Sequence, residues 1–181
     1  DPIQKWSDDI LVPDGEAGEI TVKGDLVTRQ YFENPEADAL SKIKDGTGFR
    51  HRMGDLGRKH EKGRIWFLGR KSHRVITPDG TLFPIPCEAI FNNHPEVFRS
   101  ALVGIGKKPN QTPVICIEPE HEVNTDMEKL EKELLAIAGK HELTKDIKII
   151  LFHKSFPVDI RHNSKIFREK LTTWAENRIK P

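Results

Sequence analysis

The chain has 181 residues, of which 36% are hydrophobic and 31% charged, and 29 Lys and Arg against 28 Asp and Glu leave a net charge of +1. This length is enough for one ordinary domain or two small ones. The balanced charge argues against a general nucleic-acid binder, and no apolar run approaches the roughly 18 residues that a membrane span needs. The two cysteines, Cys87 and Cys116, are too few for a disulfide framework and lie among apolar residues. We therefore expect buried thiols in a reducing compartment and a cytoplasmic location.

The first part of the chain, up to residue 69, predicts mainly β structure. Alternating apolar and polar residues over 19–23 are typical of a half-buried strand, and Asn34-Pro35 is a favourable helix start. In chain order the pattern predicts a strand over 19–23, a short helix over 37–40, a turn at 45–48, and a hairpin of strands 56–59 and 64–68.

The remainder of the chain predicts α+β structure. In chain order it predicts a strand at 75–76, a turn at 78–80, a short helix over 88–92, strands over 100–103 and 113–117, a helix from 125 to Gly139, a strand over 147–152, and a helix from near Lys165 past Trp174. A capping box of Thr125 and Glu128 is expected to start the helix that ends at Gly139, with Met127, Leu130, Leu134 and Ile137 on its apolar face. The polar run 69–74 is the expected boundary between the two parts.

Two familiar kinds of site are excluded by spacing. The segment 104–108 lacks both the first Gly of a phosphate-binding P-loop and the Ser or Thr after its Lys, so it predicts a turn at a strand end. None of the eight histidines forms a His-Glu-x-x-His pair or lies at zinc-finger spacing from a cysteine. We therefore expect no metal site in this stretch of chain.

Two polar positions remain open between a functional and a structural interpretation. Asp55 lies in a Gly-flanked turn, where its carboxylate could accept hydrogen bonds from a sugar diol or simply stabilise the turn. Lys165 follows a polar loop before a helix, where it could swing toward an anionic group or remain an ordinary exposed lysine. Each position alone favours the structural interpretation.

Taken in order along the chain, a series of short motifs resembles the adenylate-forming enzyme superfamily, which includes acyl-CoA synthetases, peptide-synthetase adenylation domains and luciferases. The matching segments are Gly18-Glu19-Ile20-Thr21-Val22-Lys23-Gly24, Tyr31-Phe32-Glu33-Asn34-Pro35-Glu36-Ala37, Met53-Gly54-Asp55, the segment from Gly63 to Arg70, Pro86-Cys87-Glu88-Ala89-Ile90, His94-Pro95-Glu96-Val97, and Lys165. The resemblance covers nearly the whole chain, but only the C-terminal third or so of such an enzyme.

The resemblance implies a role for each matched residue. It implies ribose contacts at Asp55 and Arg70, a hinge at Lys71 and Ser72, a loop for the second half-reaction at Gly80, and a catalytic lysine at Lys165. It implies ATP and Mg²⁺ as cofactors, bound mainly by an N-terminal portion, with no metal ligand in this stretch. A cation such as Lys165 is physically sensible there, because joining a carboxylate to AMP brings an anion against a polyanion.

The resemblance also implies the domain organisation. Residues 1–69 would be a β-rich piece of the large AMP-binding domain, 70–74 the hinge, and 75–181 a small mobile α+β lid domain. The chain does not begin with Met, and the acyl pocket, the phosphate loop and the Mg²⁺-binding Glu are expected in a preceding N-terminal portion. The chain alone is therefore expected to be inactive. Its partners would be that N-terminal domain, ATP and a fatty-acid-type carboxylate, with other enzymes of the same pathway as candidates, and without nucleic acid.

Three departures from the common pattern indicate a subgroup. Met53 replaces the usual Thr or Ser, the loop between Gly80 and Glu88 is longer and richer in Pro and apolar residues, and Ser164 replaces a Gly. The first two departures, at Met53 and in the loop, argue against ordinary CoA ligation. The segments 70–75, 85–92, 98–104 and 156–163 resemble the β-lactone synthetases of bacterial long-chain olefin biosynthesis.

The subgroup resemblance implies a reaction. A 2-alkyl-3-hydroxy fatty acid would be activated with ATP, and its own 3-hydroxyl would displace AMP to close a β-lactone, with no second substrate. Two alternatives stay open: a fatty-acyl-CoA or acyl-carrier ligase, and a stand-alone binding module that reuses the lid fold without catalysis.

Overall fold

The computed structural model describes residues 1–120, 126–159, 161 and 165–179. The chain forms two compact units, Asp1–Ser72 and His73–Pro181. The first unit is built mainly of strands, whereas the second combines strands with helices.

The first unit holds one antiparallel sheet and a short helix. Its elements are β1 (Ala17–Val22), α1 (Pro35–Ser41), β2 (Lys42–Asp45), β3 (Gly48–Lys59) and β4 (Ile65–Arg70). β3 is the central strand: β1 pairs along one of its edges, while β2 and β4 pair with its first and last residues along the other. The buried apolar side chains of this unit are few, namely Ile43, Leu56 and Leu68. This sheet therefore leaves much of its apolar surface exposed, including Trp66 of β4.

Among its described residues, the second unit holds a small hairpin, a three-stranded sheet and three helices. Its elements are β5 (Val75–Thr77), β6 (Gly80–Leu82), α2 (Pro84–Phe91), β7 (Val97–Ile105), β8 (Thr112–Pro119), α3 (Met127–Ala138), β9 (Ile149–Phe152) and α4 (Arg168–Ile179). β5 and β6 form the hairpin. In the sheet, β8 lies in the middle, antiparallel to β7 and parallel to β9.

The core of the second unit lies on both faces of that sheet. Ile115 and Ile117 of β8 pack in one cluster with residues of α2 and α3, whereas Val114 and Cys116 pack in the other with residues of α4. Because both faces are covered, β8 is a nearly continuous apolar run rather than an alternating one. α4 is held to its face through Leu171 and Ala175, both fully buried.

Most predicted strands and helices are present, but β2 was not predicted and helix starts differ. β3 begins at Gly48 rather than at residue 56, so Asp55 lies within a strand rather than in a turn. α2 begins at Pro84 rather than at residue 88, and β6 occupies part of the preceding stretch that was expected to be loop. Proline is well tolerated in a first helical turn, where its missing N–H has no partner to lose, so the proline-rich composition was misleading. α4 likewise begins at Arg168, three residues after Lys165.

The start of α3 also corrects the expected capping box. The N-cap is Asp126, whose side chain accepts hydrogen bonds from the backbone N–H groups of Glu128 and Lys129, and Thr125 lies outside the described residues. Met127 is 43% exposed rather than part of the apolar face. Helical side chains point toward the N-terminus, so a first-turn residue projects past the packed face. In the described parts of the chain, no helix has the length and hydropathy needed to cross a membrane.

Candidate functional site

Asp55 and Arg70 face each other across the pairing of β3 and β4 in the first unit. Gly54 precedes Asp55 with a φ of +68°, a backbone conformation that glycine adopts without strain, and it lies between the stretches of β3 that pair with β2 and with β4. Arg70 Nε lies 3.2 Å from Asp55 Oδ1, and Arg70 Nη1 donates a hydrogen bond to the Met53 carbonyl at 2.9 Å. The hairpin therefore holds a carboxylate and a guanidinium side by side.

The Asp55 carboxylate has unused hydrogen-bonding capacity. Its Oδ1 atom is buried and accepts no hydrogen bond from the described residues, because the nearby Arg70 Nε is close but not aligned for one. The Asp55 side chain as a whole is 22% exposed and that of Arg70 is 54% exposed, so solvent-borne groups can reach the pair. An ionised carboxylate accepts hydrogen bonds only, so this site suits hydroxyl or N–H donors such as a ribose diol.

Lys71 is anchored inside the first unit. Its Nζ lies 2.8 Å from Glu19 Oε2, the same oxygen that accepts hydrogen bonds from Arg52 Nε at 3.1 Å and Nη2 at 2.6 Å. Burial acts to raise the pKa of Glu19, but the hydrogen bonds from Arg52 and Lys71 outweigh it, so the pKa is lowered. Ser72 follows in a 3-10 turn and is exposed. The side chain of Lys71 thus ties the last residues of the unit to β1.

Gly80 opens β6 in the second unit. Its φ of +146° is one that residues with a side chain rarely adopt, and a Cβ there would meet nothing within 4 Å. The backbone conformation, rather than crowding, therefore favours glycine. Gly80 pairs with Thr77 of β5, whose hydroxyl donates a hydrogen bond to the Gly80 carbonyl at 3.1 Å.

Lys165 is exposed and lies just before α4. Its carbonyl accepts a hydrogen bond from the Asp159 N–H at 3.0 Å, which fixes its backbone. Among the described residues its ammonium has no ion-pair partner. Ile160, His162, Asn163 and Ser164, which belong to the same predicted motif, lie outside the described residues.

The structure thus brings together some of the predicted residues. It joins Asp55 to Arg70 and gives Lys71 a partner, Glu19, that the sequence analysis had not singled out. It also reveals a buried ion pair between Glu88 and Arg168 in the second unit. Glu88 lies in the motif Pro86-Cys87-Glu88-Ala89-Ile90, but no local pattern in the sequence connects it to a residue 80 positions away.

The described residues include no cluster of metal-binding side chains, and both cysteines are buried. Across the described part of the chain, no group of three or more His, Cys, Asp and Glu side chains could hold a metal ion. Burial raises the pKa of both Cys87 and Cys116 to about 12, so neither is a ready nucleophile at neutral pH. Burial, reinforced by the charge of Lys42, lowers the pKa of His51.

The chain resembles known enzymes over almost its full length. It is 45% identical to an olefin β-lactone synthetase of Xanthomonas campestris pv. campestris and 42% identical to one of Stenotrophomonas maltophilia. In both cases the alignment is 179 residues long and covers 96% of the chain and 32% of the relative. A 2-succinylbenzoate–CoA ligase of Geobacillus kaustophilus is 38% identical over 90 residues, which are 50% of the chain and 18% of that protein. No family model matches the chain.

Solved structures show the same fold. The anthranilate CoA ligase AuaEII in complex with anthranoyl-AMP superposes with a TM-score of 0.80 at 20% identity, covering 98% of this chain and 34% of that one. ATP-bound MatB from Rhodopseudomonas palustris superposes with a TM-score of 0.77 at 23% identity, covering 99% of this chain and 34% of that one. The predicted α+β fold class and the predicted resemblance are confirmed. The chain therefore has the fold of adenylate-forming enzymes, and it is homologous to the olefin β-lactone synthetases over about a third of their length.

Proposed function

We propose that this chain is the C-terminal part of an ATP-dependent β-lactone synthetase. The observation that carries the proposal is the 45% identity to an olefin β-lactone synthetase over 96% of the chain, whereas the matching 2-succinylbenzoate–CoA ligases are 29–38% identical over 50–73% of it. In this proposal 1–69 is a β-rich piece of the large AMP-binding domain, 70–74 is the hinge, and 75–181 is the lid. The acyl pocket, the phosphate loop and the Mg²⁺ ligands lie in the rest of the enzyme.

The proposed reaction has two half-reactions. A carboxylate oxygen of a 2-alkyl-3-hydroxy fatty acid attacks the α-phosphate of ATP, and pyrophosphate leaves. The 3-hydroxyl oxygen of the same molecule then attacks the acyl carbon, the bond to AMP breaks, and the hydroxyl proton is lost as the β-lactone closes. Intramolecular attack gains effective molarity and needs no second substrate.

The residues of this chain have distinct roles in the proposal. The Asp55 carboxylate, which is 22% exposed and whose Oδ1 accepts no hydrogen bond from the described residues, would accept from the ribose hydroxyls beside Arg70. Lys165, exposed and without an ion-pair partner among the described residues, would neutralise charge as the acyl-adenylate forms. Rotation after Lys71, at Ser72, would exchange Lys165 for the Gly80 segment in the second half-reaction.

The test uses the full-length enzyme with ATP, Mg²⁺ and a 2-alkyl-3-hydroxy fatty acid, with and without CoA. We expect AMP and β-lactone in equal amounts without CoA. If no β-lactone forms and an acyl-CoA appears when CoA is added, the chain belongs to a CoA ligase instead. The 181-residue chain alone is expected to be inactive in the same assay. If its own cell makes it only at that length, as intact-mass measurement would reveal, the binding-module alternative replaces this proposal.

Lys165 is tested separately by resolving the half-reactions. Lys165→Ala should slow ATP–pyrophosphate exchange by about 10²–10³-fold and leave lactone release from a preformed acyl-adenylate nearly intact. Lys154→Ala, an exposed lysine of the same unit, is the control and should change neither. Equal losses in both half-reactions would contradict the role given to Lys165.

A further inference from the structure

A buried ion pair joins α2 to the first residue of α4. Arg168 Nη1 lies 2.6 Å from Glu88 Oε1, and Arg168 Nη2 lies 3.0 Å from Glu88 Oε2. The side chains are only 8% exposed for Glu88 and 13% for Arg168. Two parallel N–H···O bonds between planar groups fix orientation as well as distance, unlike a lysine contact at a single point.

The same pair is bonded to the middle of β7. The Leu102 N–H donates to Glu88 Oε1 at 2.8 Å, and Arg168 Nη1 donates to the Leu102 carbonyl at 3.2 Å. Three elements, α2, β7 and α4, therefore meet at one polar contact inside the second unit. A buried ion pair is rarely more stabilising than well-packed apolar side chains of similar volume, so a need for exact geometry is the better reason to retain one.

The segment held by this contact carries Lys165. Backbone hydrogen bonds join the Asp159 N–H to the Lys165 carbonyl at 3.0 Å and the Phe167 N–H to the Pro157 carbonyl at 2.8 Å. The next residue is Arg168, whose guanidinium fixes the end of the segment. Lys165 is thus the exposed residue of a short stretch whose backbone is anchored on one side by 157–159 and on the other by the ion pair.

We propose that Glu88 and Arg168 are positioning residues for Lys165, and this rests on the function proposed above. The pair sets where α4 begins, and thereby where the Lys165 ammonium is presented during acyl-adenylate formation. The Gly80 hairpin depends on the pair less, because it has its own β5–β6 pairing and a hydrogen bond from the Ile76 N–H to Gln111 Oε1 at 3.1 Å. Loss of the pair should therefore damage the first half-reaction more than the second.

The test uses Glu88→Gln and Arg168→Lys in the full-length enzyme. Glu88→Gln keeps an acceptor for the Leu102 N–H but loses the charge, and Arg168→Lys keeps the charge but loses the paired donors. For Arg168→Lys we expect kcat of ATP–pyrophosphate exchange to fall about 10- to 100-fold, as displacement of a catalytic group by about 1 Å does, with KM for ATP nearly unchanged. The rate of lactone release from a preformed acyl-adenylate should change less than about threefold in the same variant.

Leu134→Ala separates positioning from general loss of stability. Leu134 is fully buried in the cluster with α2 and α3, on the sheet face opposite α4, so its truncation destabilises the same unit without touching the ion pair. At a temperature where this control and Arg168→Lys are both folded by circular dichroism, only Arg168→Lys should lose kcat. An equal loss of kcat in the control, or an equal loss in both half-reactions of Arg168→Lys, would overturn the inference.

Lys165→Ala, measured in parallel, distinguishes the two proposals. If Lys165→Ala leaves the first half-reaction intact, the role of Lys165 is wrong and the positioning inference falls with it. If Lys165→Ala abolishes that step while Glu88→Gln and Arg168→Lys behave like the Leu134→Ala control, the proposed function stands and the positioning inference alone is wrong.

Discussion

Replacing Asp55 by Asn should separate ligand binding from stability at the proposed ribose site. Asp55→Asn preserves the shape but removes the charge that would strengthen a hydrogen bond from a ribose hydroxyl. Hydrogen bonds to charged groups contribute about 1.5–3 kcal/mol and neutral ones about 1 kcal/mol, so the loss of the charge should cost about 0.5–2 kcal/mol and weaken ATP binding by about 2- to 30-fold.

The effect of Asp55→Asn on folding should be small or favourable. Its ion pair with Arg70 is half solvated on the arginine side, since that side chain is 54% exposed, and such pairs contribute about 0–1 kcal/mol. The buried Oδ1 of Asp55 accepts no hydrogen bond from the described residues, a state that itself costs stability. We therefore expect the free energy of unfolding to fall by less than about 1 kcal/mol or to rise.

The assay is calorimetric titration of ATP into the full-length enzyme, with urea unfolding of each variant alongside. Asp45→Asn is the matched control: Asp45 lies in the same sheet, where its Oδ2 is 2.9 Å from Lys23 Nζ and 2.8 Å from Arg50 Nε. There we expect lower stability and unchanged ATP binding, the opposite pattern. Unchanged ATP affinity in Asp55→Asn, or a loss of affinity matched by a loss of more than about 1 kcal/mol of stability, would refute the reasoning.

Three further predictions concern stability and reactivity. Because the pKa of Glu19 is lowered, its contribution to stability is present above its ordinary pKa of 4.5 and is lost as the pH falls through the pKa of the folded state. The free energy of unfolding of Glu19→Gln in urea should therefore depend less on acidic pH than that of the parent protein. Parallel pH dependences of the two proteins would contradict this. Leu134→Ala should lower the free energy of unfolding of the second unit by about 2–5 kcal/mol in urea, and a loss below about 1 kcal/mol would show that the site collapses around the cavity. Cys87 and Cys116 are buried and have pKa values of about 12, so they should react with a disulfide reagent only as fast as the protein unfolds. Rapid labelling of the native protein would disprove their burial.

Local patterns in the sequence account for most of the fold. Alternation identifies β1, and the turn around Gly63 identifies the β3–β4 hairpin, whose register places Asp55 opposite Arg70. Helix starts were harder to predict from the sequence. Prolines in a first helical turn resemble loop composition, and an Asp next to a Thr offers two possible N-caps. These errors shift helix starts by a few residues. The patterns also missed β2, β6 and the first part of β3, but the fold class is unchanged.

The partners of the site residues could not be predicted in the same way. Glu19 and Lys71 are 52 positions apart, and Glu88 and Arg168 are 80 apart, so neither pair leaves a periodic or spacing signal. A charged residue in a single sequence also carries no mark of burial, and exposure is the ordinary expectation for Glu and Arg. Only the tertiary structure reveals that these charges are satisfied by one another.

The two units therefore hold their proposed site residues in different ways, and this has a kinetic consequence. Asp55 is fixed by β pairing with Arg70, so its acceptor is preorganised before any ligand arrives. Lys165 stands exposed on a short segment whose geometry depends on the Arg168 contact. Substitutions around Asp55 should then act mainly on nucleotide affinity, because they remove a contact made equally in the ground and transition states. Those around Arg168 should act mainly on kcat of the first half-reaction, because they misplace a group needed only as charge develops.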